Sequence, residues 1–197
     1  MDIVVMDTNE KILEATIEII KKKGLKAATT RAIAVNAGVN EVTIFRNFGS
    51  KKGIIKALIE KCSYAPAFSK VLKERVVWDL EKDLYMLAKQ YHQIANKNHD
   101  LIVIMISLMG TGHFPELQRE IVNIPRQLKG DLHDYFTIMR EKGKIIDTNI
   151  EAQVMNFIGA NFGLFFTRSL FGTQLTELTE EEFLQNSIQV FVRGLQP

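Results

Sequence analysis

The chain has 197 residues, 46% of them apolar and 24% charged, with a formal net charge of +2. These proportions are ordinary for a soluble globular protein. The single cysteine, Cys62, excludes an intrachain disulfide, and the longest apolar run, residues 101–110, is too short to span a bilayer. The first ten residues lack the basic segment of a signal peptide. We therefore expect a cytoplasmic protein with no membrane association.

The charges are distributed unevenly along the chain. Residues 1–62 hold 11 Lys and Arg against 7 Asp and Glu, whereas the remainder holds 14 against 16. A basic N-terminal part joined to a mildly acidic remainder is typical of a local phosphate-binding face.

The first predicted helix begins at a cap formed by Asp7 or Thr8, with Glu10 completing a capping box, and ends at Lys23. Its apolar stripe consists of Ile12, Ala15, Thr16, Ile19 and Ile20. The lysines at 21–23 suit the negative end of the helix dipole, and contact with a phosphate is the alternative.

Residues 29–52 predict a helix-turn-helix, a module whose second helix enters the DNA major groove. Thr29 or Thr30 can cap the first short helix, Gly38 can end it in a tight turn, and Asn40 can cap the second helix. Ser50 can cap the helix that follows. The alternative is an ordinary helical hairpin with solvated polar residues.

The second short helix carries the candidate base and phosphate contacts. Val42 and Phe45 are three residues apart and are predicted to point inward together, which leaves Ile44 and the polar residues more exposed. Lys51 lies where a phosphate could meet both a lysine and free backbone N–H groups. The candidate DNA-binding residues are Thr29, Thr30, Arg31, Asn40, Glu41, Thr43, Ile44, Phe45, Arg46, Asn47 and Lys51.

The rest of the chain is predicted to be helical, with no convincing strand, so the fold class is all-α. Pro66 is expected to break the fourth helix, and Pro125 to kink or break a later one. Pro115 suits a first helical turn. The further helices are predicted at residues 51–64, 67–74, 78–96, 100–109, 115–141, 148–171 and 179–194.

The central region is rich in methionine and aromatic residues, which line adaptable apolar pockets and also ordinary cores. The candidate ligand-binding residues are Tyr85, Met86, Met105, Met109, His113, Phe114, Phe136, Met139 and Phe162. The four histidines show no paired metal-ligand spacing, and no catalytic or nucleotide-binding motif occurs. We expect no metal, no cofactor and no enzymatic activity.

The last two helices are predicted to form a two-fold, four-helix dimer interface. Two capping boxes, Thr148 with Glu151 and Thr179 with Glu182, open them. The helix at 150–171 is apolar nearly all round, so it must be buried on two sides. The candidate interface residues are Val154, Phe157, Ile158, Phe165, Leu184, Ile188 and Phe191. The alternative is a central core helix in a monomer.

From Asn9 to Lys61 the chain resembles the DNA-binding domain of the tetracycline-repressor (TetR) family. The resemblance is carried by KILEATIEIIKKKGLKAATTRAIAVNAGVNEVTIFRNFGSKKGIIKALIE, in which T-x-R-x-I-A, AGV, T-I-F-R-N-F and S-K match the family's motifs. Phe45 stands where the family usually has tyrosine, and Asn47 where it often has histidine. These departures remove one hydroxyl hydrogen bond and one possible charge.

The resemblance implies a three-helix helix-turn-helix domain at residues 5–52 and a helical effector-binding and dimerisation domain at 53–197. It implies a homodimer that binds palindromic double-stranded DNA. We expect a repressor that is released by a small apolar or amphipathic effector, bound between the DNA-binding domain and the dimer helices. An architectural DNA-binding protein without effector is an alternative. A helical enzyme or carrier that uses the cavity is another.

Overall fold

The structure, a computed structural model, describes residues 6–62, 65–111 and 115–197. This part of the chain is all-α, as predicted, with a short 3₁₀ turn at Leu25–Ala27. None of its helices is both long and apolar enough to cross a membrane. The helices are α1 (Thr8–Lys23), α2 (Thr30–Ala37), α3 (Glu41–Phe48), α4 (Lys51–Lys61), α5 (Ala65–Arg75), α6 (Leu80–Lys97), α7 (His99–Thr111), α8 (Pro115–Glu141), α9 (Ile150–Phe171) and α10 (Glu180–Leu195).

Internal packing divides the described residues into two units. The head unit comprises those of Met1–Ser63 and Asp100–Ile121, and the body unit those of Tyr64–His99 and Val122–Pro197. The head unit therefore holds most of α7 and the start of α8 in addition to α1–α4. The predicted domain boundary after residue 52 stays a prediction.

The core of the head unit is formed by one face of each of its first four helices. The stripe predicted for α1 is buried, and its Thr16 hydroxyl donates to the Ile12 carbonyl at 2.7 Å. Helix α4 contributes Ile54, Ile55, Leu58 and Ile59. At the end of α4 the Cys62 thiol is also buried, and burial raises its pKa to about 11.

The core of the body unit is built where α6, α8, α9 and α10 meet, with α5 packed beside α6. Leucines of α6 contact aromatic and aliphatic residues of the other three helices. The buried residues of this core include Phe68, Leu84, Leu87, Leu128, Leu132, Phe136, Met139, Val154, Phe157, Leu184 and Ile188.

Two prolines lie elsewhere in the helices than predicted. Helix α4 ends at Lys61, and Pro66 lies in the first turn of α5, where a missing N–H leaves no helical bond unmade. Helix α8 begins at Pro115, as predicted, but continues through Pro125. A break at Pro125 is therefore wrong, while a kink there stays a prediction.

The capping boxes predicted for the last two helices have different outcomes. Thr179 and Glu182 exchange both bonds of the box, which confirms the start of α10. At α9 the cap is Asn149, whose side chain accepts a hydrogen bond from the Ala152 amide at 3.0 Å. The predicted box from Thr148 is wrong because the helix begins one residue later than that spacing requires.

Candidate nucleic-acid interface

Helices α2 and α3 form the predicted helix-turn-helix through local capping bonds. The Thr29 hydroxyl accepts from the Ala32 amide at 3.1 Å, and the Asn40 side chain accepts from the Val42 amide at 2.9 Å. Between them Gly38 adopts a left-handed conformation with φ of 66°, which a glycine reaches without steric cost. This turn ends α2 and separates it from α3, which is therefore a short helix of its own.

The two faces of α3 are opposite to those predicted. Ile44 is fully buried in the head unit, while Val42 is 70% and Phe45 51% exposed. At about 100° per residue, Ile44 lies about 200° around the helix from Val42, so only one of them can face the core. The assignment of Ile44 as a DNA-contacting residue is therefore wrong, and Val42 takes its place on the outer surface.

The outer face of α3 combines these apolar residues with hydrogen-bonding groups. Arg46 and Asn47 are exposed, and Thr43 is partly so. The Asn47 amide donates to the Asn9 side chain at 2.7 Å, and the Thr30 hydroxyl donates to the Glu41 carboxylate at 2.6 Å. Such a mixture of donors, acceptors and apolar surface suits the edges of base pairs.

Lys51 ties the start of α4 to the 3₁₀ turn. Its ammonium donates to the Leu25 carbonyl at 2.6 Å, and partial burial lowers its pKa. The Ser50 hydroxyl caps the same helix by accepting from the Gly53 amide at 3.2 Å. Because an ammonium has three donors, the Leu25 bond leaves Lys51 able to contact a phosphate.

Gly53 allows α4 to approach the end of α3. A Cβ atom placed on Gly53 would lie 1.8 Å from the Phe48 carbonyl oxygen, which is a backbone atom. Any side chain there would force α3 and α4 apart. The orientation of α3 therefore depends on this glycine.

Two of the three lysines that end α1 have partners within the head unit. Lys21 pairs with Asp100 at 2.7 Å, and Lys22 with Glu18 at 2.5 Å. Lys23 is exposed. A phosphate contact by this lysine run remains a prediction.

The predicted ligand-binding residues do not form one cluster. Phe136 and Met139 are fully buried in the body core, with Tyr85 and Met86 packed against it. Phe162 lies outside that cluster and is 37% exposed, with its ring stacked on Phe166 at 5.8 Å. The set is completed by Met105 (buried) and Met109 (40% exposed), both in the head unit, and by His113 and Phe114, which lie outside the described residues.

Two of the grooves formed by the described residues lie open on the body unit. One of about 430 Å³ is lined by Tyr85, Gln185 and Ile188 among others. The Tyr85 hydroxyl donates to Glu181, and this bond raises the tyrosine pKa. A groove of about 800 Å³ has Trp78 and Lys144 in its wall. Tyr85 is the one predicted ligand residue that lines either groove.

A buried polar pair joins α6 to α9, and sequence analysis did not identify it. His92 Nε2 lies 3.2 Å from the Asn161 side-chain oxygen, and the Asn161 amide donates to the Phe157 carbonyl at 2.8 Å. Burial lowers the His92 pKa, which Glu180, 3.8 Å from Nδ1, partly opposes. The available signal was a polar residue one helical turn after a buried apolar one, because His92 follows Ala88 on α6 and Asn161 follows Phe157 on α9 by four residues each.

A second buried polar group secures the segment before α6. The Asp83 carboxylate accepts from the Tyr135 hydroxyl at 3.1 Å and from the Val77 amide at 2.9 Å. Next to Val77, Trp78 has a φ of 60°, which is rare for a residue with a side chain. Its ring stacks on Tyr135 at 6.0 Å, and the Lys142 ammonium lies 5.0 Å from its centroid. These contacts hold the strained backbone in place.

The predicted interface residues lie mostly inside the body unit. Five of the seven are buried, and a side chain enclosed by its own core cannot contact a partner, so their assignment is wrong; they are Val154, Phe157, Phe165, Leu184 and Ile188. Ile158 and Phe191 lie half-buried at the edge of that core. The outward stripe of α9 instead carries Met155 and Phe162, which are seven residues apart.

No group of three or more His, Cys, Asp or Glu side chains within residues 6–62, 65–111 and 115–197 is arranged to hold a metal ion.

Comparisons with known proteins agree with this geometry. Residues 12–58 match the family described as bacterial regulatory proteins, tetR family. The chain is 33% identical over 189 residues to YvkB, an uncharacterised HTH-type transcriptional regulator of Bacillus subtilis, covering 95% of this chain and 97% of YvkB. That match extends well beyond the helix-turn-helix.

Solved structures share the fold at lower identity. The TetR-family regulator PfmR of Thermus thermophilus superposes with a TM-score of 0.75 at 18% identity, covering 98% of this chain and 100% of PfmR. The regulator FadR of Bacillus subtilis, solved with stearoyl-CoA, gives 0.71 at 21% identity, with 93% and 97% covered.

Proposed function

Because the chain belongs to the TetR family of bacterial transcriptional regulators, we propose that it is a homodimeric repressor released from a palindromic operator by a small apolar or amphipathic effector. The family makes it a DNA-binding regulator and not an enzyme, as predicted. A cytoplasmic location, where the chromosome lies, is part of the proposal. The observation that carries it is the outer face of α3, with Val42, Thr43, Arg46 and Asn47 directed away from the head core.

Apolar side chains on the outside of α9 and α10 support the homodimer. Met155 is 50%, Leu170 58% and Val190 on α10 71% exposed. Contiguous exposed apolar patches are typical of protein interfaces, and the homodimer proposal requires these residues to form one. A two-fold dimer would present two α3 helices to half-sites about one DNA turn apart, which is why we expect a palindrome.

The body unit supports an apolar or amphipathic effector. Met86, Phe136 and Met139 supply soft side chains that can repack around a ligand. FadR, which shares the fold, was solved with an amphipathic ligand, stearoyl-CoA. Binding would favour release only if the effector prefers the conformation that does not fit the operator.

The operator is tested by selecting binding sites from a random pool of duplexes with the purified protein. We expect an inverted repeat whose half-site centres lie one helical turn, or a multiple of it, apart. Sites of no common sequence would support an architectural DNA-binding protein. A single asymmetric site would contradict the two-fold proposal.

The effector is tested by thermal shift with long-chain acyl-CoA and free fatty acid, with coenzyme A alone as the control lacking the acyl chain. A ligand at 100 times its dissociation constant would stabilise the fold by about 2.7 kcal/mol. Met86→Trp should abolish the shift and leave operator binding intact. A ligand that stabilises the protein without releasing DNA would contradict effector-driven release.

A further inference from the structure

Val42 is an apolar side chain placed where base edges would be expected. It is the second residue of α3 and is 70% exposed. Arg46 follows one helical turn later, so the two share the outward face opposite Ile44. In the free protein Val42 therefore leaves its apolar surface in water, which is unfavourable unless a partner covers it.

The neighbours of Val42 identify the kind of partner. Arg46 and Asn47 interrupt the apolar surface, and Asn47 is itself hydrogen-bonded to Asn9 at 2.7 Å. This patchwork does not match the continuous apolar contact at the centre of a protein interface. It does match a major groove, where hydrogen-bonding groups alternate with one apolar group, the C5-methyl of thymine.

We infer that Val42 determines operator sequence by contacting the C5-methyl group of one thymine in each half-site. A valine side chain has no donor or acceptor, so among the groups of the major groove the methyl is the one that complements it. Arg46 would then lie beside a neighbouring base pair, where an arginine pairs best with guanine. The inference rests on the proposed function and names the base that the same surface recognises.

The test begins with the selected operator and replaces each thymine in turn by deoxyuridine, which removes only the methyl group. Affinity is measured by fluorescence anisotropy. At one position per half-site we expect the wild type to bind deoxyuridine DNA about fourfold more weakly, the worth of one buried methyl group. Substituting both half-sites should weaken binding about sixteenfold if the two contribute independently.

Variants then connect that thymine to Val42. Val42→Ala should bind thymine and deoxyuridine operators equally at that position, whereas Val42→Ile, which keeps the apolar surface, should retain the preference. Val35→Ala is the matched control: Val35, a valine of α2 that is 77% exposed, is not part of the α3 face. It should keep the wild-type ratio of the two affinities.

The outcomes separate the two levels of proposal. If an operator is selected but no deoxyuridine substitution weakens binding, or Val42→Ala keeps the thymine preference, the inference is overturned and the repressor proposal stands. Loss of the preference in Val35→Ala also overturns it. If no operator is selected, both fail. Equal thermal unfolding and equal low-salt binding to unrelated duplex show that Val42→Ala is folded.

Discussion

Helix α3 of the head unit and helix α9 of the body unit both present apolar side chains to solvent, but the surroundings of those side chains differ. On α3, Val42 and Phe45 are mixed with Arg46 and Asn47. On α9, no charged residue occurs in residues 152–167, and Gly159 lies between Met155 and Phe162. Exposed apolar area alone therefore does not identify a partner. Its neighbours do, because base edges need donors and acceptors, while another copy of the chain needs continuous apolar surface.

The largest expected effect tests the α9 side of this comparison. Met155→Asp should raise the dimer dissociation constant by about a hundredfold or more, because an unpaired carboxylate would be desolvated in an apolar interface. Sedimentation velocity measures the change, and Met155→Leu should remain dimeric.

The adjacent residue supplies the contrast. Val154 is fully buried, so Val154→Asp should unfold the body unit, which circular dichroism would detect, rather than yield a folded monomer. A wild type that sediments as a clean monomer near 22.4 kDa at micromolar concentration would remove the interface from α9 altogether.

The next effect tests how α3 is held. Gly53→Ala places a Cβ against the Phe48 carbonyl, and overpacking of this kind costs typically about 1–3 kcal/mol. We expect a lower melting temperature and weaker operator binding together. Gly130→Ala on α8, where no atom lies within 4 Å of the new Cβ, should be neutral or slightly stabilising. Equal stability of the two variants would show that α3 does not depend on the close approach.

A smaller effect separates phosphate contact from base contact around α3. Lys51→Ala should weaken binding to all DNA sequences alike. The slope of the logarithm of the binding constant against the logarithm of the salt concentration should fall in magnitude by about 1 per head unit. Lys51→Arg keeps the charge and should keep the slope. A change of sequence preference at constant slope would show that Lys51 does not contact phosphate.

The smallest effect concerns the inner side of α9. Burial lowers the pKa of His92 from its ordinary value of 6.5, so folding favours the neutral ring despite Glu180 nearby. The folded state then binds fewer protons than the unfolded state. His92 therefore contributes to the free energy of unfolding above pH 6.5, and this contribution is lost as the pH falls through the lowered pKa. His92→Gln should show a smaller drop in melting temperature between pH 7 and pH 5. An unchanged pH dependence would exclude His92 as its source.

Capping explains why the starts of the first four helices could be predicted closely from sequence. The caps at Asp7, Thr29, Asn40 and Ser50 each join groups two or three residues apart. Such bonds depend only on neighbouring residues, so their positions in the chain determine where helices begin.

The faces of helices could not be predicted with the same success. Helix α3 carries apolar residues on both sides, and periodicity alone could not decide whether Ile44 or Val42 faces the core. On α9 the same ambiguity led to Val154, which is buried, being assigned to the outer face in place of Met155, which is 50% exposed. The buried pairs Asp83–Tyr135 and His92–Asn161 join residues 52 and 69 positions apart, so their partners follow only from tertiary packing.

The reaction rate of the buried Cys62 thiol at the end of α4 can report how fast that end of the helix opens. A thiol reacts as the thiolate, and burial raises the pKa of Cys62 to about 11, so the thiol stays almost entirely protonated at pH 7 while it is buried. Modification by a maleimide therefore requires the end of α4 to open, and its rate would follow that opening. A chain with one such cysteine also accepts a new labelled cysteine on α3 without removal of the native one.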